Sequence, residues 1–185
     1  MDLQEAFAAT LSRIDFSPTC VELALQRYHA IKQVIEQALP GKTVTPIGSW
    51  QRQTKIRPPD WSDQLDIDLL VKWKTARWSL FGIPGVWQTP AVALHQIQKV
   101  LVAEQTYSMT RPKAETPTVL LTYADHCTFQ IVPALVDKTG RYQHRPGEPD
   151  CYLVGGTRQS WSPADYDYEA AYLSSLNHQS WMALP

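Results

Sequence analysis

Leu65–Trp73, LDIDLLVKW, is the stretch on which the reading of this chain turns. It is apolar apart from Asp66, Asp68 and Lys72, and it reads as a buried β-strand carrying two carboxylates. Side chains alternate across a strand, so Asp66 and Asp68 project from the same side with their Cα atoms about 6.5 to 7 Å apart. Like charges side by side in a half-buried strand repel, and the arrangement is stable only when a cation or several hydrogen-bond donors compensate it. The neighbours Leu65, Ile67, Leu69, Leu70 and Val71 exclude a solvated charge run. A divalent cation is the economical compensation; carboxylates at a sheet edge that cap nearby backbone are the structural alternative.

Upstream, Ile47-Gly48-Ser49 closes a shorter extended piece, Thr43–Ile47. Glycine there lets backbone approach a ligand, and the serine hydroxyl and N–H suit a phosphate oxygen. Arg52, Thr54, Lys55 and Arg57 follow with no acid before Asp60, a short positive stretch ahead of the carboxylate pair. Phosphate binding beside metal ligands is the layout of phosphoryl transfer, in which two cations about 3.5 to 4 Å apart bridge the phosphates and the attacking oxygen.

Around this centre the pattern is α+β with a mixed or antiparallel sheet. Leu3, Phe7, Leu11 and Ile14 have helical spacing. A long helix opens with Ser17 as N-cap and Pro18 behind it, carries Val21, Leu25, Tyr28, Ile31, Ile35 and Leu39 as a stripe, and ends at Pro40-Gly41. Residues from Pro90 to about Glu104 predict another helix, and strands are expected near Tyr107–Thr110, Thr116–Ala124 and Cys127–Val136. Ser162-Pro163 repeats the cap-then-proline signal, which predicts a last helix from about 160 or 163 to Gln179. Thr75–Thr89, rich in Trp, Gly and Pro, reads as a surface loop. The expected organisation is one domain over 1–185, with N-terminal helices in 1–40 and the sheet in 43–136.

The 185 residues, 44% of them hydrophobic, suffice for one well-buried domain. Eighteen acids against 17 Lys and Arg argue against a broad nucleic-acid surface or an anionic-membrane footprint. No window is apolar enough for a membrane span, the N-terminus lacks a secretory signal, and Cys20, Cys127 and Cys151 have no zinc spacing; a cytoplasmic protein with reduced thiols is expected. The histidines at 29, 95, 126, 144 and 178 are scattered, and Gly155-Gly156-Thr157 lacks the lysine of a P-loop.

Gly48-Ser49, Arg52-Gln53-Thr54 and Leu65-Asp66-Ile67-Asp68-Leu69 together resemble the GS…RGT…hDhDh signature of the polymerase-β-like nucleotidyltransferases, and most of all the bacterial CD-NTases related to cyclic GMP-AMP synthase and oligoadenylate synthase. Ile131-Val132-Pro133-Ala134 is similar to the end of the family's third-carboxylate strand, and Gly140-Arg141-Tyr142, His144-Arg145-Pro146, Trp161 and Pro163 are similar to the segment that leads to its second lobe. The resemblance implies a nucleotidyltransferase core whose Gly48, Ser49 and Thr54 bind the nucleotide. Asp66 and Asp68 would bind Mg2+ or Mn2+, and the product would be a cyclic di- or oligonucleotide messenger in antiphage defence. A catalytically inactive nucleotide-binding module, and a minimal nucleotidyltransferase that modifies a protein or RNA, are the rival readings.

Two departures stand out. Gln130 occupies the place of the third catalytic acid, and an amide carries no charge and cannot act as a base. Asp125, the nearest acid, lies five residues away, on the opposite face of a regular strand. The family's C-terminal helical lobe also has no counterpart before Pro185, so the chain is expected to be either a piece of a longer enzyme or a minimal enzyme that borrows its lid from a protein partner.

Overall fold

The computed structural model describes residues 2, 4–5, 15–52, 65–74, 89–104, 107, 118–136, 151–154, 161–164 and 172. Helix α1, Pro18–Ala38, begins as its sequence predicts: the Ser17 hydroxyl accepts from the Cys20 N–H at 3.2 Å, and Pro18 stands where no intrahelical donor is needed. Gly41, with φ +77°, turns the chain into strand β1, Thr43–Ile47. A four-residue helical turn follows, α2, Gly48–Gln51. Strand β2 is Asp66–Lys74, and helix α3, Pro90–Ala103, is capped by the Thr89 hydroxyl. Strands β3, Val119–Thr122, β4, Thr128–Val136, β5, Cys151–Val154, and β6, Trp161–Ala164, complete the described elements.

The sheet is mixed, as expected, in the order β1-β2-β4-β5-β6, with β3 also paired to β4. Its centre is the parallel pairing of β2 with β4, from Asp66↔Thr128 to Lys74↔Val136; every other pairing among the described residues is antiparallel. Strand β4 has two partners on its far side, β3 along Thr128–Ile131 and β5 along Ala134–Val136.

One face of the sheet carries the core. Ile67, Leu69, Val71 and Trp73 of β2, with Phe129, Ile131 and Leu135 of β4, pack with Ile31 and Ile35 of α1 and Ala93, Leu94, Ile97 and Leu101 of α3. Each fully buried Ile, Leu or Phe contributes about 1.5 to 3 kcal/mol, several times any single helix-propensity difference, so packing rather than propensity fixes where these helices lie. The even-numbered residues of β2 and β4 face the other way, where Leu70 and Ala134 are buried with Ile47 and with part of Val132.

Strand β1 lies at the sheet edge, yet its outward-facing backbone is occupied. Glu36 Oε1 accepts from the Val44 N–H at 2.8 Å, Lys32 Nζ donates to the Val44 carbonyl at 3.0 Å, and the two side chains pair with each other at 2.8 Å. Pro46, two residues on, has no N–H to offer. These features close the edge to strand addition.

At the other side, the turn between β3 and β4 returns its backbone bonds to itself: His126 N–H donates to Tyr123 O at 3.0 Å and Tyr123 N–H to Cys127 O at 2.9 Å. His126 takes φ 64° as the left-handed residue that closes a three-residue hairpin loop. Arg27 of α1 clamps this turn, with Nη1 at 2.9 and 2.8 Å from the Asp125 carboxylate oxygens and the guanidinium 4.0 Å above the Tyr123 ring.

Three local expectations are corrected. Ser162 and Pro163 sit in β6, not at a helix start; pairing with β5 overrides the cap signal, and Pro163, opposite Tyr152, lies on the strand at the end of the path β1-β2-β4-β5-β6, where a missing donor is tolerated. Tyr107, expected in a strand, is helical and donates its N–H to Glu104 O at 3.0 Å. Strand β5 was not expected, since four residues give too short a pattern to register. The N-terminal stripe beyond Gln4 and Glu5, the 75–88 segment, Gly155-Gly156-Thr157 and the rest of the last predicted helix, Tyr172 apart, lie outside the described residues.

The ion pairs make stability acid-sensitive. Burial pushes the Glu36 carboxyl up, but Lys32 and the Val44 N–H outweigh it and hold it below its ordinary value. Burial likewise raises Asp125, and Arg27 with the Cys127 N–H brings it below the usual range. A carboxylate depressed in the folded state adds stability that is complete above its unfolded pKa, about 4, and is lost as pH falls through the folded value. Urea unfolding should therefore show stability declining below about pH 4, with a smaller decline in a Glu36→Gln/Asp125→Asn variant. At pH 7, Glu36→Ala should cost about 1 to 2 kcal/mol, because Val44 N–H loses a charged acceptor.

Candidate active site

Strand pairing brings residues distant in sequence to one end of the sheet, where β2 and β4 begin and β1 and β3 end. Ile47 pairs with Asp68, and Asp68 with Gln130 on the parallel neighbour. Phe129 and Ile131 are fully buried on the core face, so Gln130, half-buried between them in sequence, shares the face of Asp66 and Asp68. Asp66 is exposed and Asp68 half-buried.

Gly48 follows Ile47 directly and adopts φ +68°. A Cβ on it would lie 2.6 Å from Oδ2 of Asp68 and within 3.7 Å of two further Asp68 side-chain atoms. Two requirements thus converge on glycine here: a left-handed backbone and the space that the Asp68 carboxylate occupies. The short turn of α2 closes with Arg52 N–H donating to Gly48 O at 3.1 Å, and the Arg52 charge acts on Asp68. Ser49, second in the turn, is half-buried.

Burial, then the charge of Asp66, pushes the Asp68 carboxyl above its ordinary value, and Arg52 opposes both. Among the described residues, desolvation and like charge therefore outweigh the opposing charge of Arg52 at Asp68. Two carboxylates on one face in this condition form a donor set that a hard divalent cation fits. Among the described residues, no three His, Cys, Asp or Glu side chains are grouped so as to hold a metal ion. Asp125 is committed to Arg27, in the turn before β4.

Of the residues singled out in the sequence, Gly48, Asp66, Asp68 and Gln130 gather at this end of the sheet, with Ser49 next to Gly48; Thr54 lies outside the described residues. Thr128 was missed. It pairs with Asp66 and shares its face, a position that its spacing of two from Gln130 could have revealed. Among the described residues no helix is long and apolar enough to cross a membrane.

The fold is like that of solved CD-NTase structures. The CD-NTase CdnG of Bradyrhizobium diazoefficiens, solved in complex with GTP, aligns with TM-score 0.62 at 19% identity over 86% of this chain and 42% of its own. The STING-associated CdnE c-di-GMP synthase of Capnocytophaga granulosa aligns with TM-score 0.58 at 14% identity over 86% of this chain and 46% of its own. The Elizabethkingia meningoseptica CdnE cyclic dinucleotide synthase, solved with GTP and Apcpp, gives 0.61 at 11% identity over 85% and 53%. This chain thus spans about half the length of these structures. Residues 1–148 match the Second Messenger Oligonucleotide or Dinucleotide Synthetase domain, and the chain belongs to that family. No curated protein matches the sequence.

Gly48→Ala tests the close approach. The left-handed backbone should cost about 1 to 2 kcal/mol in stability, and the new methyl should displace the Asp68 carboxylate. Asp68→Asn should act oppositely without metal: a carboxyl raised by folding destabilises the native state as pH rises through its titration, so removing its charge should leave stability at pH 7 unchanged or higher. Thermal unfolding of the two variants in chelator checks both signs.

Proposed function

We infer that this chain is the core of a nucleotidyltransferase that takes a nucleoside triphosphate with Mg2+ or Mn2+ and joins nucleotides into a cyclic di- or oligonucleotide, a messenger in the cytoplasmic defence of a bacterium against phage. The observation that carries this reading is the junction of Gly48 with Asp68, which sets a serine-bearing turn suited to phosphate against a carboxylate pair suited to a cation. Family membership and the neighbours solved with GTP support it.

In this reading Asp66 and Asp68 hold the cation, Gly48 and Ser49 hold the outer phosphates, and Thr54 contributes from the same motif. Magnesium would supply charge neutralisation of the triphosphate and acidify the attacking hydroxyl. The reaction forms a bond from a ribose hydroxyl to the α-phosphorus and releases pyrophosphate. The residues orient the α-phosphate, and the Asp66–Asp68 face fixes where the attacking oxygen stands. The hydroxyl proton passes to solvent or to the Asp66–Asp68 carboxylates, since Gln130, at the position of a third acid, cannot take it. A lid over the base would come from a second lobe or a protein partner.

That amide favours a second reading, a module that binds nucleotide without turnover. Incubation with each radiolabelled triphosphate and either metal separates the two: oligonucleotide product supports transfer, and saturable binding without product supports the module. In either case Asp66→Asn/Asp68→Asn should abolish metal-dependent triphosphate binding in calorimetry while the fold survives, and wild-type affinity in the double variant would refute the site. Ser49→Ala should weaken ATP more than AMP, by about 1 to 2 kcal/mol for a lost hydrogen bond to a charged group.

A further inference from the structure

The geometry points to a site that holds one divalent cation with its triphosphate, not two, because Gln130 stands beside Asp68 where the second cation needs a negatively charged ligand. This rests on the nucleotide-site reading above and refines it. The register pairs Gln130 with Asp68 on the adjacent parallel strand, with the two backbones about 4.8 Å apart and both residues on the same face. Its side chain offers a single neutral oxygen as a ligand.

The two cation positions of a phosphoryl-transfer site differ in what holds them. One travels with the triphosphate and is gripped by phosphate oxygens as well as protein carboxylates, so losing one protein ligand weakens it little. The other faces the attacking hydroxyl and depends mostly on protein carboxylates. It must also sit about 3.5 to 4 Å from the first, where two dications repel four times as strongly as two single charges.

The charges around the site work against the second position. Asp66 and Asp68 bring two negative charges, and Arg52 already acts on Asp68 with a positive one. Lys72 lies further along the same face of β2. Asp125 cannot contribute, since both of its oxygens bind Arg27. Thr128, level with Asp66, carries only a hydroxyl, which lies 3.4 Å from the His126 carbonyl. Among the described residues no carboxylate remains to replace the one absent at 130. The consequence is retained grip on a metal-bound triphosphate with slow transfer, the behaviour of a nucleotide-responsive component.

Electron paramagnetic resonance can count the cations directly. The wild-type chain, saturated with a non-hydrolysable ATP analogue, is titrated with Mn2+, and bound manganese per chain is read from loss of the free-ion signal. One tightly bound Mn2+ is expected, with any second at least about 100-fold weaker, as befits loss of a directly coordinating ligand where outer partners alone are worth 10- to 100-fold. Gln130→Asp should bring a second ion into the tight range, and Gln130→Asn should not; circular dichroism and thermal unfolding report whether each is folded. If Gln130→Asp fails to fold, Gln130→Glu carries the same test. Two tight ions in the wild type, or still only one in a folded acidic variant, would overturn the inference while leaving the nucleotide site intact. No analogue and no manganese bound by any variant would overturn the site itself.

Discussion

The parallel pairing of β2 with β4 is the constraint on which the rest of the molecule depends. It fixes which residues face the helices and which face the site in a single stroke, because strand side chains alternate and a one-residue slip would exchange the two sets. In the observed register, Ile67, Leu69 and Val71 lie with Phe129 and Ile131 over α1 and α3, and Asp66 and Asp68 lie with Thr128 and Gln130 on the reverse. Any other register of one step would bury carboxylates among Ile31, Ile35 and Ile97, at a cost of several kcal/mol per charge. The core therefore enforces the placement of the carboxylate pair.

The site in turn strains against the fold. Two like charges on adjacent same-face positions of an otherwise apolar strand are unfavourable without a counter-ion, as the upward push on Asp68 records. Gly48 adds a left-handed residue and forgoes a side chain so that the turn can reach the carboxylate. The burial of the opposite face outweighs these terms, with Ile67, Leu69, Val71, Phe129 and Ile131 all at 0% exposure. Functional sites commonly hold such local conflict in place by surrounding packing.

Legibility in the sequence followed the physics of range. Alternation in LDIDLLVKW and the Ser17-Pro18 cap are local signals, and both survive in the structure to within a residue. The carboxylate pair was legible for the same reason. What β2 pairs with was not, since Asp68↔Gln130 joins residues far apart in sequence and only the resemblance of Ile131-Val132-Pro133-Ala134 hinted at it. Ser162-Pro163 misled because a cap signal is worth about 1 kcal/mol, less than the hydrogen-bonded ladder a strand gains beside β5. The arm from Arg27 to Asp125 could not be read at all: neither residue carries a local motif, and the pair exists because α1 crosses the β3–β4 turn.

A crystal of the chain grown with Mn2+ and a non-hydrolysable nucleoside triphosphate, measured for anomalous scattering, tests the central claim most directly. A manganese peak bridging the Asp66 and Asp68 carboxylates, with the outer phosphates against the Gly48-Ser49 turn, is the predicted result. Nucleotide bound elsewhere, or a manganese peak that neither carboxylate touches, would contradict it.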